Sequence, residues 1–376
     1  MTALHERIKP LGWLRNPIRA ALFSFFKKAS ETDDGKAIAA AALKGLLASQ
    51  PDVLDGTAAF ATTPYPELGQ PQWMSRSLRE DVIFITGRFR SGSTLLWNLF
   101  RHLDGYTAYY EPLNERRWFD PRARGDRVDR THTHVTEYWK EYEGLDELGR
   151  YYHESWTSQN LLMDSTFWDP ALQRYVEILI ERAPARPALQ FNRIDFRLPW
   201  FRRRFPRARI IHLYRHPRDQ WCSSLLDLNC FPRDAAPADF ARHDKFYLLS
   251  WARDLRYHFP FLDPQAVSHP YQLFYYIWKL SYLFGRKYAD YSLAFEELVN
   301  DPAGQLGQLF GALDIDSGYT ARCQQLIVKQ PLGKWKAYAP DDWFREHEAT
   351  CETVLAEFLG HVPERALKNG MTAAST

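Results

Sequence analysis

Cysteine is scarce in this chain, with four among 376 residues, at positions 222, 230, 323 and 351. None stands in a C-x-x-C pair, which argues against a disulfide scaffold or a zinc site and favours a reduced, cytoplasmic setting. No run of about 18 apolar residues occurs and the N-terminus lacks a signal-peptide profile, so no membrane-spanning anchor is expected. An excess of one charge is missing too: 48 Lys and Arg against 46 Asp and Glu leave a net charge of +2, too balanced for nucleic acid as a bulk partner. His132 and His134 in THTH complete no ligand set, so no metal is expected, and the stretch reads as a loop or exposed strand.

What remains is 45% hydrophobic and 25% charged, enough for one large α/β core, alone or with a helical subdomain. The stretch VIFITGRFRSGSTLLWNLF, from Val82 to Phe100, carries the clearest signal. Val82 to Ile85 read as a central strand of a parallel sheet, Gly87 and Gly92 bracket a loop, and Ser93 and Thr94 open an apolar helix. Strand, glycine loop and helix N-terminus form an anion cradle, because unpaired N–H groups and the positive dipole end converge there. The spacing is that of the triphosphate P-loop, but Ser93 stands where its lysine belongs, and the cations are Arg88 and Arg90 instead.

A second strand and helix pair runs from Ala208 to Leu226. Ile210 to Tyr214 read as core strand and Arg215 sits at its carboxyl end, where open α/β sheets hold ligands. Pro217 and Asp219 suit the first turn of the next helix, Asp219 as a cap or dipole partner, and Ser223 lies a turn further. Arg215 and Ser223 can then share one phosphate monoester; the plain alternative is an Arg215–Asp219 ion pair.

These motifs resemble the sulfotransferases that use 3′-phosphoadenosine 5′-phosphosulfate (PAPS). The loop Phe89 to Thr94 is similar to the family's 5′-phosphosulfate loop in the arginine form of carbohydrate and protein-tyrosine sulfotransferases. Arg215 to Ser223 looks like its 3′-phosphate element. KQPLGKWKAY from Lys329 resembles the late nucleotide-holding segment, with Gln330 in place of a glycine, and AFEELVNDP from Ala294 resembles a strand and turn, with Phe295 in place of tyrosine. The likeness spans about residues 80 to 340. It implies a P-loop-like three-layer α/β/α fold with a central parallel sheet and helical acceptor-side insertions. It also implies PAPS as donor, held by Arg88, Arg90, Ser91, Gly92, Ser93, Thr94, Arg215, Ser223, Lys329, Gly333 and Trp335.

Ala108 to Tyr110 read as a short strand ending at Glu111, before Pro112. The resemblance makes Glu111 the base that deprotonates the acceptor hydroxyl; a surface pairing with Arg116 or Arg117 is the alternative. Arg90 is the expected leaving-group cation. Arg193 in LQFNRIDF is a candidate second cation, or else a strand-end partner of Asp195. Two other readings stay open: a catalytically silent nucleotide binder with the same fold, and an atypical P-loop kinase. A shared cavity for Glu111 and Arg90 would separate enzyme from silent binder.

The expected layout is an N-terminal helical extension and linker over 1–75, an α/β domain over 76–365 with an aromatic-rich helical insertion near 230–288, and a disordered tail over 366–376. Residues 17–29 and 36–48 read as helices, the first basic and amphipathic enough for a membrane-surface contact, and either able to pack on a second subunit. Pro64, Pro66 and Pro71 mark the linker. Arg122 to Asp164 is assigned to acceptor-side loops and helices. The basic run Phe201 to Arg209 reads as a solvated helix end near the nucleotide. Phe274, Trp278 and Tyr282 fall at helical spacing, a pattern of core packing as well as of acceptor binding. The acceptor expected is a hydroxyl on a carbohydrate or lipid-linked molecule, with phenols and small alcohols open.

Overall fold

Short β-branched and aromatic runs alternating with helical stretches build an open parallel sheet. The computed structural model describes Thr32 and residues 79–129, 131–329 and 331–361. The expectations for 17–29 and 36–48, for Pro64, Pro66 and Pro71, for Gln330 and for the tail over 366–376 lie outside the described residues.

Strands β1 (Ile83–Thr86), β2 (Tyr106–Tyr110), β3 (Arg186–Phe191), β4 (Arg209–Tyr214) and β5 (Tyr291–Ala294) pair in the order β2-β3-β1-β4-β5, every pair parallel. Ile83 lies beside Ala188 on one side and Arg209 on the other. Ile83, Phe84 and Ile85 are fully buried, as a strand covered on both faces requires. The chain leaves β1 toward β2 on one side and crosses from β3 to β4 on the other. The ends of β1 and β4 therefore part at a topological switch point, where α/β sheets open a crevice.

The helices are α1 (Ser93–Arg101), α2 (Pro170–Arg182), α3 (Leu198–Arg204), α4 (Pro217–Ser224), α5 (Leu248–Leu255), α6 (Pro270–Tyr288), α7 (Phe295–Asn300), α8 (Pro302–Ala312), α9 (Thr320–Leu326) and α10 (Asp341–His361). Local sequence starts several of them. The Asp169 carboxylate accepts the Leu172 N–H at 2.8 Å ahead of Pro170 in α2, and Asp301 with Pro302 repeats the device in α8. One core packs against the sheet and a second gathers Trp221, Trp251, Tyr271 and Phe344 among α4, α5, α6 and α10. No described helix is long and apolar enough to cross a membrane.

Three expectations change here. The 230–288 region is helical only in α5, α6 and a 3-10 turn over Pro237–Arg242. The AFEELVNDP segment ends its strand at Ala294 and turns helical at once, because β5 stops at the sheet edge where α7 begins. The basic run 201–209 lies near the amino end of β4, across the sheet from the carboxyl edge. There Arg202 bonds the Tyr288 carbonyl at 2.6 Å and the Asp290 carboxylate at 2.6 Å.

Candidate functional site

All five strands point their carboxyl ends at one cavity of about 520 Å³, a volume typical of ligand sites. The loop after β1 brings Arg90, Gly92, Ser93 and Thr94; β2 ends in Glu111, β3 in Asn192 and Arg193, β4 in Arg215 and β5 in Phe295. Ser223 on α4 and Lys334 join them.

The loop is shaped by glycine where nothing else fits. Gly92 has φ of 98°, and a Cβ there would sit 2.3 Å from the Phe295 ring. At Gly87 a Cβ would meet the Leu213 carbonyl oxygen at 2.9 Å, so the loop runs close against β4. Of the eight described non-glycine residues with positive φ, three line the cavity: Arg90 (φ 66°), Glu111 (φ 39°) and Tyr247 (φ 62°). Such conformations cost of order 1–3 kcal/mol each and persist where surrounding structure imposes them.

Glu111 is buried and fully engaged. One carboxylate oxygen accepts from the Asn192 amide; the other accepts from Asn114 Nδ2 at 2.6 Å and from Arg193 Nη1 at 3.2 Å. It pairs with neither Arg116 nor Arg117 in this arrangement. Arg193 is equally buried, reaches Glu115 at 2.6 Å through Nη2, and lies 4.9 Å from the Phe89 ring and 5.4 Å from that of Tyr247. Burial works against its charge, but Glu111 and Glu115 outweigh that and hold its pKa above the ordinary value. Asp195 is not its partner: that carboxylate takes hydroxyl bonds from Thr86 and, at 2.6 Å, from Ser281.

The anion side is sparser. Arg90 donates through Nε to Ser223 at 3.1 Å and approaches Asp129 at 3.5 Å, while Arg215 donates to the Arg90 carbonyl at 3.2 Å and lies 4.7 Å from the Phe295 ring. Arg215 Nε has no partner among the described residues, and burial lowers the pKa of this guanidinium against the pull of Asp219 and Glu296. Helix α1 opens with no side-chain cap, leaving its first N–H groups without a side-chain acceptor. Thr94 and Tyr110 share a hydrogen bond of 3.0 Å at the rim.

Several expected residues stand elsewhere. Arg88 and Ser91 face inward beneath the loop: Arg88 lies 4.7 Å from the Trp251 ring, and burial pushes its pKa down to about 10 despite Asp195. In the late segment Lys329, Gly333 and Trp335 do not line the cavity, whereas Lys334 does. The reason is Asp219, which is no helix cap: its carboxylate accepts the backbone N–H of Gly333 at 2.8 Å and of Trp335 at 3.3 Å. That clasp, with Gly333 at φ 79°, presents the intervening Lys334 to the cavity.

Of the aromatic stripe of α6, Phe274 is buried and Trp278 and Tyr282 are half-buried, and none of the three lines the cavity. Trp278 donates to the Arg215 carbonyl at 2.9 Å and stacks on Tyr282 at 5.7 Å. The rings that border the cavity are others, Tyr110, Trp118, Tyr138, Phe246 and Tyr247 among them. Within THTH, His132 meets the Tyr138 hydroxyl at 2.5 Å and burial pushes its pKa down to about 4, so it is neutral at pH 7. No cluster of three or more His, Cys, Asp or Glu that could hold a metal occurs among the described residues. Sequence reasoning missed Asn192, Asn114 and Lys334; the first sits beside Arg193 in LQFNRIDF and the last beside Gly333, so adjacency was the only signal available.

A family model described as "Sulfotransferase family" matches residues 81–319. No curated protein matches the chain at a significant level. Solved structures similar to it include sulfotransferase STF1 from Mycobacterium tuberculosis H37Rv (15% identity, 75% of this chain and 79% of that one, TM-score 0.41). Sulfotransferase STF9 from Mycobacterium avium (14%, 78% and 79%, TM-score 0.40) and mouse sulfotransferase SULT7A1 complexed with PAP (14%, 78% and 90%, TM-score 0.36) are similar to it as well.

Proposed function

The chain belongs to the sulfotransferase family, and from that premise we propose that it moves a sulfuryl group from PAPS to an acceptor hydroxyl and releases adenosine 3′,5′-bisphosphate. The observation that carries the reading is that Glu111 and Arg90 line one cavity, the feature that distinguishes an enzyme from a silent binder. The residues present fit a nucleotide with two anionic groups. Arg90, Ser93, Thr94 and the uncapped start of α1 suit the phosphosulfate, and Arg215 with its unpartnered Nε, Ser223 and Lys334 suit the 3′-phosphate. Arg90 bridges the two groups, since its side chain meets Ser223 and its carbonyl meets Arg215.

In this scheme Glu111 takes the acceptor proton as the acceptor oxygen bonds to sulfur. The bond from sulfur to the bridging oxygen breaks, and its electron pair leaves with the bisphosphate. Arg90 supplies the positive charge over that oxygen, and positioning with fixed electrostatics provides most of the catalysis, by analogy with phosphoryl transfer. Arg193 acts from behind Glu111, pairing with its carboxylate while a second ion pair with Glu115 anchors the guanidinium. For the acceptor, a carbohydrate or lipid-linked hydroxyl suits the aromatic faces of Trp118 and Tyr247 beside Glu111 and Glu115.

Calorimetric titration with adenosine 3′,5′-bisphosphate, adenosine 5′-monophosphate and ATP with magnesium tests the donor. Preference for the bisphosphate, lost in Arg215→Ala, is expected. Tighter binding of ATP with magnesium would move the site to phosphoryl chemistry.

A further inference from the structure

The side chain of Asn192 joins the donor loop to the base. It is 5% exposed and lines the cavity. Its Oδ1 accepts from the Ser93 hydroxyl at 2.8 Å and from Gln190 Nε2 at 2.8 Å; its Nδ2 donates to Glu111 Oε1. Two donors converging on Oδ1 leave only the amide nitrogen to face Glu111, so the direction of every bond in the chain is set. Ser93 has one hydroxyl proton, and Asn192 holds it. That proton is also the one an anion in the loop would attract, because Ser93 begins α1, whose N–H groups have no side-chain cap.

We propose that Asn192 is a positioning residue that holds the Ser93 hydroxyl back from the anion site and yields it when the 5′-phosphate group arrives, while the same amide keeps Glu111 oriented throughout. This rests on the donor reading above. When Ser93 turns to the ligand, Gln190 remains on Oδ1, and the Asn192 amide nitrogen keeps its bond to Glu111. The base side is thus held in place before and after donor binding, and the donor displaces an existing hydrogen bond to enter.

The consequence has an unusual sign. Removing a residue that lines a binding cavity ordinarily weakens binding, but Asn192→Ala frees the Ser93 hydroxyl, so adenosine 3′,5′-bisphosphate should bind about 2- to 10-fold more tightly, the net worth of one hydrogen bond. Turnover of the labelled donor should fall in the same variant, because Glu111 loses a donor that orients it. In a Ser93→Ala background the Asn192→Ala change should leave affinity within about 2-fold, since no hydroxyl is left to release. Asn192→Asp, which keeps an acceptor for Ser93 and Gln190, should not tighten binding.

Titration calorimetry of the four proteins with adenosine 3′,5′-bisphosphate reads the cycle, with thermal melts to show that each is folded. Unchanged or weaker binding in folded Asn192→Ala, or the same effect with and without Ser93, overturns the switch. Wild-type protein that fails to bind the bisphosphate overturns the donor reading instead, and the switch with it. If Asn192→Ala does not fold, Asn192→Ser, too short to span Ser93 and Glu111 together, gives the same readout.

Discussion

The two walls of the cavity differ in how far their polar groups are paired within the protein. On the Glu111 side most polar groups are answered within the protein: Glu111 has three donors, Arg193 two carboxylates with only its Nε unpartnered among the described residues, and Asn192 three partners. On the anion wall donors outnumber acceptors, with Arg215 Nε unpartnered, Arg90 engaging one hydroxyl and a distant carboxylate, and α1 uncapped. A group that must move a proton gains from a geometry fixed in advance, whereas a surface that must hold an anion keeps hydrogen-bonding capacity in reserve. Loss of Arg193 would leave the buried Glu111 carboxylate without its counter-ion, at a cost of about 3–5 kcal/mol. On the anion wall Arg215 bears a burial cost of its own, expressed in its lowered pKa, which a bound anion would offset.

The strongest break in the comparison is Glu111→Gln. It should lower single-turnover transfer by about 10²- to 10⁴-fold while bisphosphate affinity, read by calorimetry, stays nearly constant. Retained turnover would reduce Glu111 to a structural anchor for Arg193. Arg90→Ala comes next, with a loss of about 10²- to 10³-fold in turnover as befits a donor to developing negative charge, accompanied by weaker donor binding. A loss confined to affinity would place Arg90 with the positioning residues. Arg215→Ala should act on affinity alone, weakening the bisphosphate by about 10- to 100-fold, the worth of a charge-assisted contact, with adenosine 5′-monophosphate nearly unaffected. The smallest effect separates two lysines in one segment: Lys334→Ala should cost a few-fold in bisphosphate affinity, of the order of an exposed charge pair, and Lys329→Ala nothing measurable. Equal effects would mean that the Asp219 clasp does not select the cation.

How much was legible depended on whether a contact was local in sequence. The loop from Gly87 to Thr94 declared itself because strand, glycines and helix start are consecutive, and their order already dictates converging N–H groups. Arg215 and Glu111 were legible for a related reason, each standing where an apolar run ends. Asp219, expected as a cap or dipole partner, does stand in the first turn of α4 but caps nothing; its hydrogen-bond partners, Gly333 and Trp335, lie more than a hundred residues away. Arg88 and Arg90 look alike in sequence, yet the left-handed turn at Arg90 sends one to the cavity and leaves the other under the loop against Trp251.

The sequence by itself determined the parallel α/β class, the glycine loop between β1 and α1 and the residues at the ends of β1, β2 and β4, because hydrophobic period and glycine spacing act over a few neighbouring residues. Only the tertiary structure decided that Asn192 ties Ser93 to Glu111, that Arg193 pairs with Glu111 and not with Asp195, and that Lys334 reaches the cavity while Lys329 does not. Those outcomes rest on hydrogen bonds between strand ends and loops far apart in the chain, whose approach is set by sheet order and no local pattern encodes.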